Sequence, residues 1–175
     1  CLKSYGFNKS QSDAMCHFEQ IQTGFVLESV NYQIIGERHA FLLKNKTHQT
    51  ELSCIIKEVP AILTFGDSKV ELLKIKPSEV DFSQLNCLYF DSKMIQYPLT
   101  IREWKKGDKM RPLGMKGFKK ISDMLTDKKV PHYSRKQQYV ISDTVGELIA
   151  LLPNTVSDVH KVRQESIEVL RFRLI

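Results

Sequence analysis

The chain has 175 residues, a formal charge of +6, 42% hydrophobic and 26% charged residues. That length suits one domain or two small ones, which bury roughly two thirds of their unfolded surface. No uncharged run approaches the ~18 residues of a membrane helix, no basic, apolar, small-residue order marks a signal peptide, and no low-complexity tract points to disorder.

Ala14, Met15, Phe18 and Ile21 recur at three- and four-residue steps, so Gln11 to Gln22 reads as the end of a helix, stopped by Gly24. From Phe25 to Ile34 the period is two and the residues are β-branched or aromatic, the pattern of a strand. Gly36-Glu37 reads as a turn into a second strand over Ala40 to Leu43. Leu52 to Val59, Val70 to Ile75, Cys87 to Phe90 and Leu99 to Trp104 are further strand candidates. Gly107-Asp108, Arg111-Pro112-Leu113-Gly114 and Gly117 mark a loop.

A short helix from Lys119 to about Lys128 follows. It puts Ile121, Met124 and Leu125 on one face and Lys119, Lys120, Asp123 and Asp127 on the other. Val130-Pro131 ends it, because the residue before proline is pushed out of helical geometry. Tyr139 to Ser142, Glu147 to Leu152 and Ser166 to Leu174 read as closing strands. The expected class is α+β, mainly antiparallel β with one inserted helix, preceded by one helix.

Charge is unevenly spread. Residues 101–140 hold twelve Lys or Arg against four Asp or Glu, whereas the rest of the chain has two more acidic than basic residues. One forty-residue stretch thus carries all the positive excess, as a polyanion-binding surface does. Within it, Lys109, Arg111, Lys116, Lys119 and Lys120 surround a glycine-rich loop whose amides and cations suit phosphate oxygens. The alternative is a structural turn with solvated lysines.

Catalytic signals are missing from the sequence. Gly114-Met115-Lys116-Gly117 is too short for a P-loop, and no nucleophile elbow, zinc-binding helix or dinucleotide fingerprint occurs. Asp123 and Asp127 read as partners for Lys119 and Lys120, and His132 as a surface or packing histidine. Cys1, Cys16, Cys54 and Cys87 lack the paired spacing of a zinc site and read as thiols in a reducing cytoplasm. No catalytic residue, cofactor or metal ligand is therefore expected. A chain opening on Cys1 is expected to be a piece of a longer one, a lipid-bearing first cysteine being the alternative.

The run from Pro98 through Trp104-Lys105-Lys106-Gly107-Asp108-Lys109-Met110-Arg111-Pro112-Leu113-Gly114 to Ser122-Asp123, with Asp127-Lys128-Lys129-Val130-Pro131 after it, resembles the C-terminal domain of the tRNA(Ile)-lysidine synthetase family. Tyr5-Gly6-Phe7-Asn8 and Gln22-Thr23-Gly24 resemble the segment leading into that domain. The resemblance is strong over 34 positions, Pro98 to Pro131, and loose elsewhere.

It implies a sheet-sandwich domain over 96–175, a β-rich connecting region over 25–95 and the helical tail of a linker domain over 1–24. The implied parent is a cytoplasmic ligase that attaches lysine to the wobble cytidine of tRNA(Ile), binding ATP, with Mg, and lysine in an N-terminal domain whose SGGxDS loop is not in this sequence. This part is then non-catalytic and grips tRNA(Ile) around the acceptor stem, with no membrane partner. The gripping residues carried over are Lys109, Arg111, Lys116, Lys119, Lys120, Lys128, Lys129 and Arg135, and the loop-shaping ones Gly107, Pro112, Gly114 and Gly117. Residues 153–162 depart from the family pattern, with Thr155-Val156 where a basic-apolar pair is usual and His160 near a usual basic site. The rival reading is a protein-interaction or structural module with a solvated basic face.

Overall fold

A computed structural model describes residues 2–16, 24–37, 40–46, 53–65, 68–135 and 137–175. The chain divides into two compact units, residues 1–50 with 129–136, and residues 51–128 with 137–175. Strands expected in the connecting region 25–95 are shared between both.

The first unit opens with helix α1, Lys9–Cys16. It starts two residues earlier than the apolar spacing indicates because Asn8 caps it. The Gln11 amide donates to Asn8 Oδ1 at 2.8 Å, and the Asn8 amide donates to Gln11 Oε1 at 2.9 Å. This reciprocal pairing satisfies two amides that a helix start would leave open. Of the expected apolar stripe, Ala14 is exposed and Met15 half-buried, while Phe18 and Ile21 lie outside the described residues.

β1 (Val26–Glu28), β2 (Tyr32–Glu37) and β3 (Ala40–Asn45) form an antiparallel sheet in that order. The expected single strand over Phe25 to Ile34 is thus two, folded back where the Ser29 hydroxyl accepts from the Tyr32 amide at 3.1 Å. Gly36 and Glu37 are not a turn but the end of β2, paired with Phe41 and Ala40. A one-turn helix α3, His132–Arg135, also belongs to this unit and packs on β2.

The second unit is a two-sheet sandwich. One sheet has five strands in the order β13 (Thr155–Val156), β12 (Leu148–Leu151), β11 (Tyr139–Ser142), β8 (Leu99–Glu103), β4 (Ser53–Ile56). The other has four, in the order β5 (Ala61–Phe65), β6 (Ser68–Ile75), β14 (Val169–Leu174), β7 (Cys87–Asp91). Every pairing is antiparallel.

Alternation decides which face meets which. Leu99, Ile101, Ile141 and Ile149 from the five-stranded sheet join Val70, Leu72, Leu88, Phe90, Leu170 and Phe172 from the other in one core, as residues two apart on a strand must share a face. β5 was not among the expected strands. It is an edge strand whose Ile62 is 71% exposed, so its apolar residues do not sort cleanly onto one face.

Between β8 and β11 the chain makes a small hairpin, β9 (Lys109–Met110) and β10 (Lys119–Lys120), and then helix α2, Ile121–Asp127. Lys119 and Lys120, expected to open the helix, form the second strand instead. Ile121, Met124 and Leu125 are buried as their spacing indicates, and β9 packs against β12. The α+β expectation, mainly antiparallel with an inserted helix, therefore holds.

Candidate nucleic-acid interface

The basic hairpin stands on one polar node. Gly107, at φ +101°, turns the chain so that Asp108 faces back toward β8, a left-handed backbone that glycine adopts without strain. Arg102 grips the Asp108 carboxylate with both guanidinium arms, at 2.8 and 3.0 Å, and the Lys105 amide donates to it at 2.7 Å. Burial works against the charge on Asp108, but the Arg102 fork and the Lys105 amide outweigh it and hold the carboxyl below the usual carboxylate range. The Asp108 carbonyl accepts from the Ile121 amide at 2.9 Å and so caps α2. One residue thus fixes the root of the loop, the first strand of the hairpin and the start of the helix.

The loop between β9 and β10 is braced by the segment where the sequence departs from the family pattern. The Leu113 amide donates to the Val156 carbonyl at 3.2 Å, and the Asp158 amide to the Arg111 carbonyl at 2.9 Å. Pro112 forms a bridge with Ser157. Gly114, at φ +81°, turns its amide onto Asp158 Oδ1 at 2.9 Å, an oxygen that also takes Lys161 Nζ at 2.8 Å. Lys161, the Gly114 amide and the nearby Arg111 keep the half-buried Asp158 carboxyl below its ordinary value. Gly117 has no positive φ and open space around it, so neither backbone nor packing demands glycine there.

The cations carried over from the family divide by environment. Lys109, Lys116 and Lys120 are exposed, and neither Lys116 nor Lys120 has a carboxylate partner among the described residues. Lys109 Nζ and the Arg111 guanidinium each lie 5.4 Å from the centroid of Phe118, a ring 55% exposed. Lys119 is half-buried and paired with Asp127, the partner its helix-face reading indicated. The Lys128 ammonium, lowered in pKa by burial, donates to Asn154 at 2.8 Å and to Thr155. Both belong to the divergent segment.

Lys129 and Arg135 fall in the first unit. Lys129 is at φ +53°, and Arg135 Nε donates to the Val130 carbonyl at 2.9 Å. The loop thus gathers Lys109, Arg111, Lys116, Lys119 and Lys120, while Lys128 and Arg135 bind their own chain.

Beside the hairpin, Asp108, Lys109 and Phe118 line a pocket of about 350 Å³ together with Val145, Gly146 and Glu147 from the β11–β12 turn. Sequence reasoning missed Phe118, although an aromatic set among lysines is itself a cue for base stacking. It also missed Arg102 as the anchor of Asp108 and Asp158 as the anchor of Gly114. The second pair is separated by 44 residues, and no local pattern links them.

These features define a class: an antiparallel two-sheet domain with a braced basic hairpin. Residues 99–170 match the family described as TilS substrate C-terminal domain. A crystal structure of a TilS C-terminal domain superposes with a TM-score of 0.59 at 17% identity, covering 70% of this chain and 95% of that one, which shows the shared fold. The chain is 30% identical to a tRNA(Ile)-lysidine synthase of Bacteroides thetaiotaomicron over 86% of its length and 33% of the relative's. It is 25% identical to that of Parabacteroides distasonis over 80% and 32%. A bifunctional protein TilS/HprT of Listeria innocua is 35% identical over 65% of this chain and 16% of its own. The chain therefore spans a third or less of these relatives.

Proposed function

We propose that this chain is the tRNA-holding C-terminal part of a cytoplasmic tRNA(Ile)-lysidine synthase, and that the hairpin between Lys109 and Lys120 is what meets the tRNA. The observation that carries the reading is the braced loop itself. Lys109, Arg111, Lys116 and Lys120 sit on a backbone fixed at Asp108 and at Asp158, around an exposed Phe118. Fixed cations suit phosphate oxygens, and an exposed ring flanked by cations suits an unpaired base, which together fit a folded RNA better than a duplex read by sequence. The proposed docking region is the acceptor stem, where strand and unpaired end adjoin. The chemistry of the parent, with ATP, Mg and lysine, is assigned to another part of the protein, and this chain is assigned none of it.

The test is tRNA binding measured across salt. If about four phosphates are neutralised, a fourfold rise in salt weakens binding roughly a hundredfold, taking the duplex-DNA slope as a guide. An affinity that does not change with salt would favour the structural-module reading. Truncating the acceptor stem should abolish most of the binding, and an anticodon stem-loop alone should bind poorly.

A further inference from the structure

Glu147, which lines the pocket beside the hairpin, also belongs to a second cluster that no part of the tRNA reading uses. Asp143, Glu147 and His160 each offer one ligand atom, and these atoms lie within 4.8 Å of one another, the only such group of three among the described residues. We propose that they form a site for a divalent transition-metal ion, with Zn²⁺ as the reference ion, clamping the β11–β12 turn to the segment 157–161.

The second observation is the histidine. His160 is 2% exposed, and its Nδ1 is buried without a hydrogen-bond partner. Its backbone is held on both sides, the carbonyl accepting from the Asp91 amide at 2.9 Å and the amide donating to the Ser157 carbonyl at 3.1 Å. The ring is therefore presented to the carboxylates by fixed backbone and not by a loose surface segment. A buried polar nitrogen with nothing bound to it calls for an explanation, and a metal supplies one.

Asp143 is pre-set as a ligand. Its Oδ1 accepts the Val145 and Glu147 amides at 3.0 and 2.8 Å, which orients the carboxylate and leaves the other oxygen for an ion. Glu147 is half-buried at the end of the turn, where Gly146 at φ +83° lets the backbone fold back. Bonds of about 2.0–2.2 Å would draw the three donors inward by roughly an ångström, a movement the end of a turn can make. Two carboxylates balance a divalent charge, and the imidazole favours zinc, copper, iron or nickel over the oxygen-seeking ions calcium and magnesium.

The experiment uses the whole chain, stripped with a chelator and titrated with Zn²⁺ by calorimetry and with Co²⁺ by visible absorption. One equivalent should bind, with Co²⁺ bands in the d–d region. Glu147→Gln keeps the shape of a half-buried side chain and should weaken binding at least about tenfold, since even loss of an outer partner costs 10–100-fold. His160→Gln should do the same, and Glu147→Gln decides alone if that variant does not fold. His132→Ala, in the other unit, should bind as the parent chain does. No saturable binding, unchanged binding in Glu147→Gln, or binding lost in His132→Ala would each overturn the proposal.

Discussion

The sandwich core and the basic hairpin belong to the same unit but are held by different forces. Phe90, Leu99, Ile101, Ile141 and Phe172 are each at most 1% exposed, and water is excluded from between the two sheets. The hairpin has two-residue strands and three exposed apolar side chains, Leu113, Met115 and Phe118. Its order comes from a handful of hydrogen bonds centred on Asp108 and Asp158. The core is stabilised by area, which tolerates local change. The loop is positioned by direction, which a single atom can upset.

The comparison can be broken first at the core. Phe90→Ala removes a fully buried ring and should destabilise the unit by about 3–5 kcal/mol, read by denaturant unfolding. Next comes the node at Asp108. Asp108→Asn loses the charge-assisted fork to Arg102 and should destabilise by about 1–2 kcal/mol, allowing for solvent screening at a partly exposed site. The folded carboxyl sits below the ordinary value of about 3.9, so its stabilisation is complete above that pH and is lost as the pH falls through the lower folded value. The variant should therefore show less acid dependence of stability than the parent below about pH 4.

Gly114→Val is the sharper probe of the loop. No atom crowds the position, but φ of +81° is strained for a β-branched residue, so about 1–2 kcal/mol should be lost with the core unaffected. Hydrogen exchange should quicken at Leu113 and Asp158, whose amides cross between loop and brace, and stay slow in β11 and β14. Uniform quickening would mean that loop and core are one cooperative structure.

The same contrast explains what could be read in advance. Strands β6, β7, β8 and β11 were legible because their apolar residues alternate against a continuous core. The α2 stripe was legible for the same reason at helical spacing, although its first turn was misplaced. No local rule reveals that the Asp108 carbonyl caps the helix and leaves Lys119 and Lys120 to a strand. The basic stretch announced itself by charge alone, but which cations are engaged did not. The pairing of Lys119 with Asp127 was legible from their spacing, but Lys128 looks alike in sequence to Lys116 and Lys120, and only folding brings Asn154 and Thr155 to it. His160 and Glu147 lie 13 residues apart with no ligand spacing, so their cluster is a product of the β11–β12 turn.

The smallest expected effects on stability carry the central claim. Lys116→Ala and Lys120→Ala should change stability by no more than about 0.5 kcal/mol, because neither side chain has a partner among the described residues. The decisive measurement is the slope of log affinity for tRNA against log salt in the parent chain and in Lys116→Ala, Lys120→Ala and Lys128→Ala. Lys116→Ala and Lys120→Ala should each flatten the slope by about one unit, since each removes one phosphate contact. Lys128→Ala should leave it nearly unchanged, since that ammonium is already bound to Asn154 and Thr155. Equal slopes in all four proteins would contradict the account and leave the hairpin as a solvated face.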